Sequence, residues 1–253
     1  MVLLRVKEIR SILPYAGVRK LMHMLNDSKF GLPVKIGRDH LFRLLRSNRM
    51  LSPLKKKYIG TTNSKHSLPS YPNLLKGLLV RNVNDLWVSD ITYIKLHNGK
   101  FCYLFLVTEY RSRKIIGWAL KDSLATEGAL ESLEMAIKNS DPPPGFIHHS
   151  DHGVQYCCKE YISRLKKYGA IISMTGENHC YDNAVAERVN GILKQEFGLG
   201  SELPNIEAAR KLCKEGIYNY NCVRLHASLG YQTPDHVMDL LKKNKNLALN
   251  EIA

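Results

Sequence analysis

Asp90, Asp151 and Glu187 are the residues of this chain best suited by type and setting to do chemistry. Asp90 interrupts the strand-like run Leu86-Trp-Val-Ser-Asp-Ile-Thr-Tyr-Ile94, where a charge between Val88 and Ile91 is costly unless it is used. Asp151 ends the run Ile147-His-His-Ser-Asp151, and Glu187 closes Asp182-Asn-Ala-Val-Ala-Glu187 in a helix-like stretch. Thirty-five residues separate Asp151 from Glu187. Two acids on strand-like runs and a third on a helix can hold two Mg²⁺ ions, and such a pair clamps the attacking and leaving oxygens of a phosphoryl transfer. Other acids have plainer roles. Asp85 opens a strand, Glu109 sits at a turn, Glu177 and Asp182 bracket a polar loop, and Glu196 is expected on a solvated helix face, the usual state of a charge. His148 reads as structural, and His149 as either structural or a ligand.

The elements that must position these acids follow from periodicity. Leu86–Lys95, Phe101–Thr108 and Ile115–Leu120 are predicted strands, joined by an Asn98-Gly99 hairpin turn and by the basic turn from Arg111 to Lys114. A helix is expected from Thr126 to Asn139, with Ala129, Leu130, Leu133 and Ile137 buried and Pro142-Pro-Pro144 stopping it. Then come a short strand Phe146–His149, a helix Lys159–Tyr168, a strand Ala170–Met174, and a helix Asn183–Phe197 capped by Asp182 or Asn183. The order βββαβαβα predicts an α/β domain with a mixed sheet. Asp151 then lies beyond the C-terminal end of a strand, where open α/β sheets usually place ligands. Ala184, Glu187 and Lys194 share a helix face, so Glu187 can point at the sheet while Lys194 reaches a phosphate further along.

Before these elements the composition differs. The chain carries a net charge of +14, and residues 1–80 hold 16 Lys/Arg against 3 Asp/Glu, while the remainder is nearly balanced. A basic segment so concentrated suits a polyanion, most often nucleic acid. Residues 5–50 read as helical. Val18, Leu21, Met22 and Leu25 form one apolar stripe with Arg19 and Lys20 off it. Leu41, Leu44 and Leu45 form a second, with Arg38, Arg43, Arg46 and Arg49 outside it, after a break at Gly31-Leu-Pro33. Two short helices with the second basic suggest a helix-turn-helix unit over 1–51, a generic helical hairpin being the alternative. A polar linker over 52–82, including Lys55-Lys-Lys57 and Gly60–Ser64, precedes a core over 83–240, and 241–253 is a tail.

The six cysteines show no Cys-x-x-Cys spacing, which argues against a zinc ribbon or disulfide frame, and Cys102 reads as a small core residue. No run of roughly 18 apolar residues occurs and the N-terminus lacks a signal-peptide pattern, so a cytoplasmic, nucleoid-associated protein without membrane contact is expected.

Four ordered blocks carry a family resemblance. Trp87–Tyr93, His149–Tyr156 and Tyr181–Glu187 resemble the first-Asp, second-Asp and Glu blocks of the DDE transposases and retroviral integrases, whose spacing the 35-residue gap matches. Tyr220-Asn221, Arg224, His226, Ser228–Tyr231 and Pro234 resemble the C-terminal block of the third family of insertion-sequence transposases, in the product of their downstream reading frame (OrfB). Tyr15–Leu21 and Arg38–Leu51 resemble that family's N-terminal helical segment. The resemblance covers almost the whole chain.

It implies a ribonuclease-H-like mixed five-stranded sheet flanked by helices. It also implies DNA strand cleavage followed by in-line strand transfer, and two Mg²⁺ (magnesium) ions, with Mn²⁺ able to take their place. Asp90 would be shared between the ions, Asp151 and Glu187 would bind one each, and Arg188 and Lys194 would contact DNA. The implied partners are the element's terminal inverted repeats, target DNA, further copies of the chain, and an upstream-frame OrfA product or a frameshift fusion with it. Two departures from the pattern stand out: the Cys157-Cys158 pair replaces small or polar residues, and residues 1–82 hold no cysteine, so the integrases' His-His-Cys-Cys zinc module is absent. The alternatives are a nuclease of the same fold and a non-catalytic DNA-binding remnant or regulator of transposition.

Overall fold

Alternating apolar side chains build the sheet at the centre of the chain. The structure, a computed structural model, describes residues 1–27, 31–52, 68–176 and 183–250, with side chains to 243. The expected Lys55–Lys57 and Gly60–Ser64 linker and the loop holding Glu177, Cys180 and Asp182 lie outside the described residues. The strands β1 (Leu86–Lys95), β2 (Phe101–Glu109), β3 (Ile115–Lys121), β4 (Ile147–Ser150) and β5 (Ile171–Met174) form one sheet in the order β3-β2-β1-β4-β5. The first three pair antiparallel, whereas β1–β4 and β4–β5 pair parallel.

One face of the sheet carries α4 (Thr126–Ser140), the short α5 (Val154–Cys157) and α6 (Lys159–Lys167), packed over Trp87, Phe105, Val107 and Ile172. The buried face of α4 differs from the expected one. Gly128, Ala129, Ser132, Leu133, Ala136 and Ser140 turn inward, and Leu130 and Ile137 are only half-buried. The reason is close approach. A Cβ on Gly117 of β3 would lie 2.0 Å from the Ser132 carbonyl oxygen, and one on Gly128 would lie 2.3 Å from the Phe105 ring. The helix rests on the sheet through its small residues, a face that a hydrophobic-size pattern does not reveal.

The opposite face carries α7 (Ala184–Glu196) and α8 (Ile206–Cys222), the latter capped by Asn205, whose side chain accepts from the Ala208 amide. One continuous core runs from α7 and α8 into α1 (Val2–Ile12), α2 (Val18–Asn26) and α3 (Arg38–Ser47). The N-terminal segment is thus three helices rather than two, docked against the core. The connection between α2 and α3, Asp27 to Gly37, is longer than the three or four residues of a helix-turn-helix turn. It is closed by Asn26, whose amide both donates to the Ile36 carbonyl and accepts from its N–H, at 3.0 and 2.9 Å. Arg10 ties α1 to the carbonyls of Ala16 and Met50. Residues 68–82 have no regular structure but follow β5, with Met174 N–H donating to Pro72 and Leu74 N–H to the Ser173 hydroxyl.

After α8, Asn221 holds the outer edge of β3: its amide accepts from the Ile115 N–H at 3.0 Å and donates to the Ile115 carbonyl at 2.8 Å. Arg224 makes a two-point bond to Glu196 at the end of α7, and Lys20 of α2 binds the same carboxylate at 2.7 Å. His23 of α2 stacks on Tyr231, with ring centroids 3.6 Å apart. A final helix, α9 (Pro234–Asn250), follows. Glu196 is therefore not on a solvated face, and Lys20, expected to be free for DNA, is a half-buried partner in an ion triad. Neither contact was legible, because Glu196 finds its partners 28 and 176 residues away in the chain. Among the described residues no helix is long and apolar enough to cross a membrane.

Two predictions follow from this packing. Gly117→Ala is expected to cost about 2 kcal/mol in urea unfolding, since the Ser132 backbone cannot yield, whereas Gly191→Ala, with nothing within 4 Å of the added carbon, should add about 0.5–1 kcal/mol. Equal effects would mean that α4 does not press on β3. In the triad, Arg224 and then Lys20 draw Glu196 down to about 2, while burial and the Arg224 charge push Lys20 down to about 8 despite the attraction of Glu196. Arg224 is thus the stronger partner. Arg224→Met should cost about 3 kcal/mol at pH 7, and Lys20→Met under about 1 kcal/mol. Because the Glu196 pKa is depressed on folding, its contribution is present above pH 4.5 and fades as pH falls towards 2. Titrating stability across that window should narrow the gap between wild type and Arg224→Met.

Candidate active site

The register of the sheet brings the first two acids to one face. Val88 of β1 pairs with His149 of β4 in parallel, and Asp90 and Asp151 each lie two residues further along. Alternation then points Asp90 towards α7 and its neighbour Ser89 the other way. The third acid, Glu187, stands exposed in the first turn of α7. Each carboxylate acts on the others. Burial and then the Asp151 charge raise Asp90 to about 7, with a smaller push from Glu187. Burial and then Asp151 raise Glu187. The Asp151 Oδ1 accepts the Gly153 N–H at 3.0 Å, which turns the chain after β4.

The three acids share a face without forming a closed cage. Among the described residues no three Asp, Glu, His or Cys side chains are gathered closely enough to hold a metal ion. The donor set suits a hard divalent cation: oxygen ligands only, mutually repelling, with one carboxylate held protonated up to about pH 7 by that repulsion and by burial.

Two asparagines fix α7 over β1, and periodicity did not single them out. Asn183, one of the two expected caps with Asp182, does stand at the N-cap of α7, but its side chain makes no capping bond and instead donates from Nδ2 to the Ser89 carbonyl at 2.9 Å. Asn190 donates from Nδ2 to Asp90 Oδ2 at 2.8 Å, which partly offsets the upward shift of that carboxyl. Its position one turn after Glu187, on the same face, is the signal that could have found it.

The histidines are held from behind. His148 Nε2 bonds the Ser89 hydroxyl at 2.8 Å and the Tyr161 hydroxyl at 2.9 Å on the α6 side of the sheet, and burial lowers its pKa to about 3, which fits the structural reading. His149 Nδ1 bonds the Ser173 hydroxyl on β5 at 2.8 Å. Glu109, at its turn as expected, is fully buried and accepts from the Asn84, Arg111 and Ser112 N–H groups.

The expected DNA contacts fall in two groups. Arg19, Arg38, Arg43 and Arg46 are exposed on α2 and α3. Arg188 is exposed beside Glu187, and Lys194 is half-buried further along α7, with its pKa lowered by burial and supported by the Asp90 charge. Lys20 belongs to neither group.

A mixed five-stranded sheet with three acids on its α7 face is the arrangement of an integrase catalytic core. Residues 81–180 match a family model described as integrase core domain, and residues 168–234 match a second with the same description. The chain is 34% identical over 233 residues to an uncharacterized 31 kDa protein of insertion element IS600 from Shigella sonnei, covering 91% of this chain and 84% of that one. It is 30% identical over 210 residues to the transposase InsF of insertion sequence IS3A from Escherichia coli (strain K12), covering 81% of this chain and 69% of that one. Its fold matches the HTLV-2 integrase catalytic core domain, solved in complex with magnesium, with a TM-score of 0.50 at 16% identity, over 62% of this chain and 97% of that one. The chain belongs to the IS3-family, integrase-type transposases. Its enzymatic class is polynucleotidyl transfer, in transposition by DNA cleavage and strand transfer.

The charge crowding has a measurable consequence. The Asp90 pKa is raised on folding from 3.8 to about 7, so the folded state holds this proton more tightly, and the benefit present at low pH is lost as pH rises through 7. Asp90→Asn, freed of divalent cations by chelation, should therefore be more stable than wild type by about 2 kcal/mol at pH 8 and nearly equal to it at pH 4. A variant less stable at pH 8 would mean that the carboxylate is satisfied without metal.

Proposed function

We propose that this chain cleaves DNA at the ends of an insertion sequence and joins the freed 3′-hydroxyl to target DNA, with Asp90, Asp151 and Glu187 as its catalytic carboxylates. The observation that carries this reading is the register that sets Asp90 and Asp151 each two residues past the Val88–His149 pair, with Glu187 in the first turn of the helix packed over β1. Asp90, Asp151 and Glu187 would hold two Mg²⁺ ions, or Mn²⁺ in their place, which when bound activate the attacking oxygen and stabilise the leaving one. Asn190 keeps Asp90 turned towards α7, and Asn183 keeps α7 seated on β1. Arg188 and Lys194 follow Glu187 along that helix and would contact DNA phosphates near the reacting bond. The exposed arginines of α2 and α3 would hold the duplex further out, so the DNA partners are the element's terminal repeats and a target duplex. A unit over residues 1–51 and a core over 83–240 would then grip one DNA from two sides.

The test is an incubation of the full chain with a duplex carrying the inverted repeats that flank its coding sequence, with Mg²⁺. Cleaved and joined products are expected from wild type. Asp151→Asn should make neither while binding the duplex within about twofold of wild type, because the change removes charge and keeps shape. Near-normal cleavage by Asp151→Asn would overturn the assignment. Metal binding requires deprotonated carboxylates. Mn²⁺ affinity measured by calorimetry should therefore fall as pH drops below 7, the value to which Asp90 is raised. An affinity unchanged from pH 8 to pH 5.5 would show that Asp90 is not a ligand.

A further inference from the structure

The N-terminal ends of α2 and α3 face each other across a groove with mostly apolar walls, lined by Gly17, Val18, Arg19, Arg38, Asp39 and Phe42 together with Lys20 of the ion triad. Phe42 is the anomaly. It is 37% exposed on a face of α3 that is otherwise charged, while Leu41 and Leu45 point into the core. The Arg46 guanidinium lies over its ring, 4.9 Å from the centroid. The ring stands in the middle of the ten-residue helix, within reach of base edges when such a helix lies in a major groove. Charge decides the occupant: Arg19, Lys20 and Arg38 line the groove, Arg46 stacks on Phe42 beside it, and Asp39, bound to Arg38 at 2.8 Å, is the one acidic side chain of its lining.

We propose that this groove is a base-reading surface for duplex DNA, in which Phe42 packs on the methyl group of a thymine while the arginines around it bind phosphates. An apolar ring against a thymine methyl discriminates bases in the major groove, where the methyl projects. Arg46, stacked on the ring, would hold it in place and reach the backbone. The proposal rests on the reading that the N-terminal unit binds DNA, and it adds which residue reads sequence and which base it reads.

The full chain, without metal, is used to select duplexes from a random-sequence library. Wild type should enrich sites with a thymine at one fixed position. Replacing that thymine by deoxyuracil, which lacks only the methyl, should weaken wild-type binding about tenfold, the usual scale of one wrong base pair. Phe42→Ala should bind both duplexes equally, with an unchanged slope of affinity against salt. Arg46→Gln should weaken binding to every sequence and flatten that slope by about one unit. Selection of the same thymine by Phe42→Ala, or equal binding of thymine and deoxyuracil sites by wild type, overturns the proposal. Failure to bind any duplex overturns the parent reading instead, and a cleavage assay on the same preparation reports separately on the catalytic carboxylates.

Discussion

Three carboxylates drawn from distant parts of the chain repel one another, and the fold must hold them together regardless. The restraint is α7. It crosses the sheet over β1, held there by Asn183 on the Ser89 carbonyl, Asn190 on Asp90 itself, and apolar contact through Ala186, Val189 and Leu193. Without that helix Glu187 has no fixed relation to Asp90. With it, the acids share a face at the cost of local strain that shows as raised pKa values. Such local cost at a functional site is commonly met by stabilising contacts elsewhere.

Those contacts lie at the far end of the same helix. Glu196 is shared by Arg224 and Lys20, and the apolar core continues from α7 and α8 into α1, α2 and α3. The three N-terminal helices therefore belong mechanically to α7. A force on them acts on the end of α7 opposite to Glu187. The C-terminal block contributes in the same way: Arg224 on Glu196, Tyr231 on His23 and Asn221 on β3 are what that block of sequence is for.

Much of this was legible in the sequence. β1 was read to the residue, the other strands and the helices α4, α6 and α7 within one or two positions, and the mixed sheet from their order, because apolar alternation reports burial directly. Asp90 was visible because a charge inside an apolar strand needs a reason, and Asp151 and Glu187 because of their spacing and the family blocks that hold them. The misses share a cause. The buried face of α4 was misjudged because close packing selects Gly128, Ser132 and Ala136 for smallness, whereas pattern reading weights Leu130 and Ile137 for size. Lys20, Glu196 and Asn190 were missed or misread because a polar residue is defined by a partner that only the tertiary fold supplies. The four-residue α5 is too short to show a period.

The two bonds from Asn221 to Ile115 reach beyond stability. β3 is the outermost strand on its side, and an outermost strand with free amides and carbonyls is a template on which another chain can add. The Asn221 side chain occupies that template at its first residue, and Arg210 takes the carbonyl of Leu120 near its last. The sheet is thus closed to extension along β3. Another chain meeting this edge would find the end groups of β3 already bonded, and would have to pack on it through side chains rather than by strand addition.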